Sequence, residues 1–168
     1  MKTKAIFVIA AAAMVFSLAS CEKDPDQKEP VEPVEAAGEV SGVWEAGSTV
    51  YVDGHIVVPE GESLTIEEGV TVIFSDAGVG VNHTAIEFSV DGNLYCLGTA
   101  ENPVRLTVDE SLRTADNTFA GLWGGIVAGA TCEEMLIDHT IIEYCGGQVI
   151  EGSPAAENGY NTAGDHAS

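Results

Sequence analysis

Residues 61–75 read GESLTIEEGVTVIFS. Leu64, Ile66, Val70, Val72 and Phe74 alternate with polar or small residues, the period of a strand that buries one side. The alternation breaks at Glu67-Glu68-Gly69, and what the chain does there decides the fold. A tight hairpin at Glu68-Gly69 would set Ile66 against Thr71 and Leu64 against Ile73, breaking the buried side at each pair. Asp91-Gly92, a dipeptide that ordinarily marks a hairpin, fails the same test. It would pair Val90 with Asn93, Ser89 with Leu94 and Glu87 with Cys96. These glycines therefore read as corners that keep the inward set inward, as a sheet coiled around one interior requires.

Alternating segments recur at Val50 to Val58 (with Asp53-Gly54 inside it), Leu64 to Phe74, Ile86 to Leu97, Val104 to Val108, Trp123 to Ala128 and Leu136 to Tyr144. No long helical period separates them. Leu64-Thr65-Ile66 followed by Val70-Thr71-Val72 is echoed by Leu94-Tyr95-Cys96 followed by Val104-Arg105-Leu106, at offsets of 30 and then 34 residues. Stacked coils would put like over like at about 4.8 Å per coil and bury Leu, Ile, Val and Phe in columns. The expected fold is all-β, a short parallel β-helix over residues 44–147.

GESLTIEEGVTVIF, GTAENPVRLTV (98–108), GLWGGIVAG (121–129) and LIDHTIIEYCGG (136–147) resemble the right-handed parallel β-helix lipoproteins of Gram-negative bacteria, relatives of the pectin-lyase-like fold, which implies that the winding here is right-handed. The resemblance implies a surface scaffold, an adhesin or a glycan-active protein. Residues 148–168 offer no further clear strand and no amphipathic helix to cover the last coil, and a solenoid needs capped ends. They read as a loop or the start of further coils. The β-helix is expected to be incomplete at its C-terminus, the alternative being a small domain closed by its own loops.

The chain opens with Lys2 and Lys4 ahead of an apolar run from Ala5 to Phe16, too short to span a bilayer comfortably and arranged as a signal peptide over residues 1–20. Leu18-Ala19-Ser20-Cys21 resembles the bacterial lipobox, which implies that Cys21 is lipidated and that acyl chains hold the protein at a membrane. Residues 21–43, rich in Pro and Glu with few large apolar side chains, read as a disordered tether. Glu22, Lys23, Asp24 and Asp26 resemble the acidic tract that sends some lipoproteins to the cell surface. The expected location is the outer membrane, with the domain facing either the cell surface or the periplasm, since both orientations share the lipobox.

From Trp44 to Ser168, twenty Asp and Glu stand against Arg105 and Arg113 alone, a formal −18. Nucleic acid and anionic head groups are repelled by such a surface. Polyuronate lyases offset a substrate carboxylate with Arg, Lys or Ca²⁺, and this stretch has no lysine. Alternation turns Val104, Leu106 and Val108 inward and Arg105 outward with Thr107. Hydrolases of this fold resemble one another in paired aspartates near a histidine. The nearest approach is Asp138-His139 with Glu143, and strand alternation sends Asp138 and His139 to opposite sides. No catalytic residue is assigned. The expected role is a non-catalytic scaffold, adhesin or glycan-binding protein, the alternative a polysaccharide lyase or glycoside hydrolase whose active coils lie beyond residue 168.

Candidate glycan contacts are Tyr51 and Tyr95, which alternation turns outward, together with Arg105. Trp123, between glycines, reads as packing over a corner. Asp53, Glu60, Glu62, Glu67 and Glu68 crowd the first two coils and are candidates for Ca²⁺, without a spacing that fixes a site; no other cofactor is expected. Expected partners are the membrane, through the lipid anchor, and an extracellular glycan or cell-surface component. Cys96, Cys132 and Cys145 are odd in number and lack CxxC spacing, which favours buried thiols over one disulfide.

Overall fold

A computed structural model describes residues 33–75 and 85–160, all within the unit Val31–Ser168. The signal peptide, Cys21 and the surface-sorting tract lie outside the described residues. The strands are β1 Val34–Glu39, β2 Gly42–Trp44, β3 Thr49–Val58, β4 Ser63–Ile66, β5 Thr71–Phe74, β6 Glu87–Val90, β7 Asn93–Leu97, β8 Val104–Val108, β9 Gly125–Ala128, β10 Met135–Asp138 and β11 Thr140–Ile142. Every pair is parallel.

The pairing defines three sides. Face A is the four-stranded sheet β10-β7-β4-β2. The seven-stranded sheet bends within β3. Thr49–Val52 of β3 pairs β5, which continues to β8 and β11 and makes face B. Ile56–Val58 pairs β6, which continues to β9 and makes face C. The chain therefore visits B, C and A in turn, and each circuit lies on the one before. That is a parallel β-helix, as the corner reading of Glu68-Gly69 and Asp91-Gly92 requires. Gly69 has φ +70°, a corner conformation that glycine adopts without strain.

The echo in the sequence is the register itself. Leu64 pairs Leu94 and Ile66 pairs Cys96, and on the next side Val72 pairs Leu106. Side chains in line across coils form the interior columns: Val50, Val72 and Leu106; Val52, Phe74 and Val108; Ile56 and Phe88; Val58 and Val90. All are buried. Burying one such side chain contributes about 1.5–3 kcal/mol, so the columns are the chief cohesive term. Toward the last coil the columns open, with inward Ile137 at 41% and Ile142 at 38% exposure, because no described strand pairs with β10 or β11 on their far sides.

The first coil begins earlier than composition suggests. Residues 34–43, expected to be the end of the tether, form β1 and β2, which pair with β3 and β4. Only Ala36 of β1 is buried, so the strand is held by ladder hydrogen bonds and carries almost no apolar period to read. The runs Leu64 to Phe74, Ile86 to Leu97 and Leu136 to Tyr144 are each two strands on different faces. Among the described residues after 147, a single helical turn, α1 Pro154–Glu157, starts at Ser153, whose side chain caps it, with Pro at the first position. It is too short for a periodic signal. Ala155 N donates to Glu87 Oε2 at 2.6 Å, so Glu87 and Ser89, which point outward from β6, are buried.

Ser48, just before β3, is buried with no hydrogen-bond partner for Oγ. An unpaired hydroxyl in an apolar interior costs about 1–3 kcal/mol. Ser48→Ala is therefore expected to raise the urea midpoint, by about 1 kcal/mol in stability; a lowered midpoint would show that the hydroxyl is in fact bonded.

Candidate functional site

Arg105 points outward from face B, and its Nη1 lies 2.6 Å from Glu143 Oε1. The same oxygen accepts from Thr107 Oγ1 at 2.9 Å. Thr107, expected on an open surface beside Arg105, is fully buried. The one outward cation of β8 is thus already paired. Tyr51 is on face B as well, but its neighbour across the ladder is Ile73, and Arg105 lies one coil further on, opposite Thr71. Tyr95 belongs to β7 on face A. The three candidate contacts therefore do not share a surface: Tyr51 and Arg105 are on one side of the prism and Tyr95 is on another.

Asp138 and His139 behave differently from the alternation expected of them. His139 has φ +40°, so the strand ends at Asp138 and the chain turns from face A to face B. The turn swings His139 Nδ1 to 2.7 Å from Asp138 Oδ1, both side chains more than half exposed. Glu143 is engaged with Arg105 and does not complete an acid–base group with them.

The acidic residues considered for Ca²⁺ are separated by the winding. Asp53 lies in the bend of β3, Glu60 and Glu62 lie in the corner before β4, and Glu67 and Glu68 lie in the corner after it. Glu67 Oε2 accepts from Ala46 N at 2.9 Å, and Glu68 Oε2 accepts from Thr99 Oγ1 at 3.0 Å. Residues close in sequence end up on three different edges, and among the described residues no group of Asp, Glu, His and Cys gathers as metal ligands would.

Cys96, Cys132 and Cys145 are free thiols. Cys96 sits in a face A column, where burial pushes its thiol up to about 11; burial also raises Cys145. Trp123 does pack at a corner: it is fully buried, stacked on Phe74 with ring centroids 4.0 Å apart and planes within 2°.

Face A is the side on which outward residues line up in the open. Val43, Thr65, Tyr95 and Leu136 are successive partners across four coils. Val43 is 56% exposed, Leu136 46%, and Leu97, two residues along from Tyr95, 41%. Ser63 and Asn93 form the adjoining outward column. Asn93 Oδ1 accepts from Glu134 N at 2.9 Å, and Tyr95 Oη donates to Glu134 Oε2 at 2.8 Å. That bond, with the charges of Glu134 and Glu133, holds the phenol above its usual range. Of this surface only Tyr95 was singled out by sequence. The offset of 30 residues already aligned it with Thr65; Val43 and Leu136 needed the coils on either side.

The architecture and its open, side-chain-studded sheet define a parallel β-helix protein. The chain belongs to the family of the pectate-lyase like beta helix domain, whose family model matches residues 37–140. Searches of curated proteins and of solved structures return no significant match.

Proposed function

We propose that this protein is a lipid-anchored β-helix scaffold of the cell envelope that binds glycan, without catalysis, on face A. The observation that carries the reading is the outward column Val43, Thr65, Tyr95 and Leu136, exposed at Val43 and Leu136 and half-buried at Thr65 and Tyr95, flanked by Leu97 and Asn93. A pyranose ring offers an apolar face to stack on an aromatic side chain and hydroxyls for amide and carboxylate partners. Face A supplies both in one plane on rigid strands. Arg105 and Tyr51, on face B, are not part of this surface.

Two outcomes test the reading. Tyr95→Ala, an outward change that leaves the interior columns intact, is expected to lower glycan-array binding by roughly two- to tenfold, the value of an aromatic stack; full retention of signal excludes face A. The anchor rests on Lys2, Lys4, the apolar run and the Leu18 to Cys21 motif. Cys21→Ser is expected to shift the protein out of the membrane fraction or block its processing, and a correctly processed mutant still in that fraction would remove lipidation from the proposal.

A second reading, a glycan lyase or hydrolase, is favoured by the 2.7 Å approach of Asp138 to His139. Unsaturated product absorbance, or new reducing ends that disappear in His139→Ala, would establish it.

A further inference from the structure

We propose that the ligand of face A is a glycan carrying free amines, an amino-sugar polymer, and that polyuronates are rejected; this rests on the glycan-binding reading of the same face. Exposed carboxylates frame the column: Glu45 beyond β2, Glu62 before β4, Glu133 and Glu134 before and beside β10, and Asp138 at its end. The strands of face A and the corners that border them contain no Lys or Arg. His139, at the corner after β10, lies against Asp138. Arg105 lies on face B, paired to Glu143.

A uronate laid along this column would place its carboxylate beside Glu134 with no cation to offset it. An ammonium in the same position meets a carboxylate and the ring of Tyr95, whose face attracts cations. Exposed charges act over about 8 Å at physiological salt, so the selective contact is the local one, at Glu134 next to Tyr95. The backbone explains why a saccharide is favoured over a basic peptide. An extended peptide gains its affinity by adding a strand to an open sheet edge, which on face A means β2 or β10, whereas β4 and β7, which carry Thr65 and Tyr95, are hydrogen-bonded on both sides within the sheet. Their outer surface offers side chains alone, which suits ring stacking and point charges.

The test is calorimetric titration of the full-length protein with four probes: a glucosamine hexamer, its fully N-acetylated form, a galacturonate hexamer and a lysine hexamer. The glucosamine hexamer is expected to bind roughly tenfold tighter than the acetylated one, the ratio that one charge-assisted contact supplies, and the galacturonate hexamer not at all. Glu134→Gln should remove that preference, and Tyr95→Ala should weaken both sugars. Equal binding of the two glucosamine forms, or binding of galacturonate, overturns the amine specificity and leaves the glycan reading standing. Silence from all three sugars overturns both. Lysine hexamer bound as tightly as glucosamine hexamer, and indifferent to Tyr95→Ala, would make the surface a general cation trap and overturn the proposal.

Discussion

Trp123→Ala is expected to destabilise the protein by about 3–5 kcal/mol, the cost of removing a large aromatic from a packed interior. Trp123 is fully buried, lies flat on Phe74 and donates from Nε1 to Glu143 O at 2.8 Å. It also pairs with Cys145 as an isolated bridge, so it joins the segment entering β9 to the one leaving β11. Truncation leaves a cavity against Phe74 and an unbonded carbonyl on Glu143. Domains of this size are stable by only about 5–15 kcal/mol in total, so the variant stands near the threshold of folding. Trp123→Phe preserves most of the stack and loses the hydrogen bond, for a smaller cost of about 1 kcal/mol. Urea unfolding followed by circular dichroism separates the two. Equal, small losses would show that the stack contributes little.

The second large effect is expected at Gly92. A Cβ there would fall on the carbonyl oxygens of Pro59 and Glu62, backbone of the preceding coil. Those atoms have no freedom to retreat, because Gly92 N is bonded to Val58 O and Asn93 N to Glu62 O, each at 2.9 Å. Gly92→Ala must therefore part the two coils at this corner, at an expected cost of about 3 kcal/mol. The companion substitution in the other Asp-Gly makes the comparison sharp. At Gly54 the nearest atom to an added Cβ is Ala37 Cβ at 3.7 Å, an ordinary contact. Gly54→Ala is expected to stay within about 0.5 kcal/mol of the parent. Thermal melts of the two variants decide the matter: similar midpoints would mean that coil-to-coil contact does not govern Gly92.

The contrast between these glycines marks where sequence reading reaches its limit. Both stand in Asp-Gly within an alternating run, and rejection of the hairpin at Asp91 was a matter of counting which residues would face which. That count needed no coordinates, because an inward set must stay inward on both sides of a corner. Whether the corner has room for a methyl group depends on the coil beneath it, which is contributed by residues some thirty positions earlier. The same distinction applies to the candidate site. Tyr51 and Tyr95 both point outward, as alternation says, yet they lie on different sides of the prism because two more corners separate the second from the start of its coil. Asp138 and His139 meet because the strand ends between them, at a non-glycine residue with positive φ that no local pattern announces.

Sequence by itself determined that the chain is a coiled parallel sheet, which residues turn toward its axis, and that its surface is strongly acidic. These follow from alternation, composition and the 30- and 34-residue echo, properties carried by short segments. Tertiary structure alone decided that residues 34–43 join the first coil, that Arg105 is neutralised by Glu143, and that Val43, Tyr95 and Leu136 form one open column. The physical reason is that period-two alternation specifies only inside or outside. Which of three outer faces a side chain joins, and what stands beside it, is set by loop lengths summed over whole circuits and by ladder hydrogen bonds between distant strands.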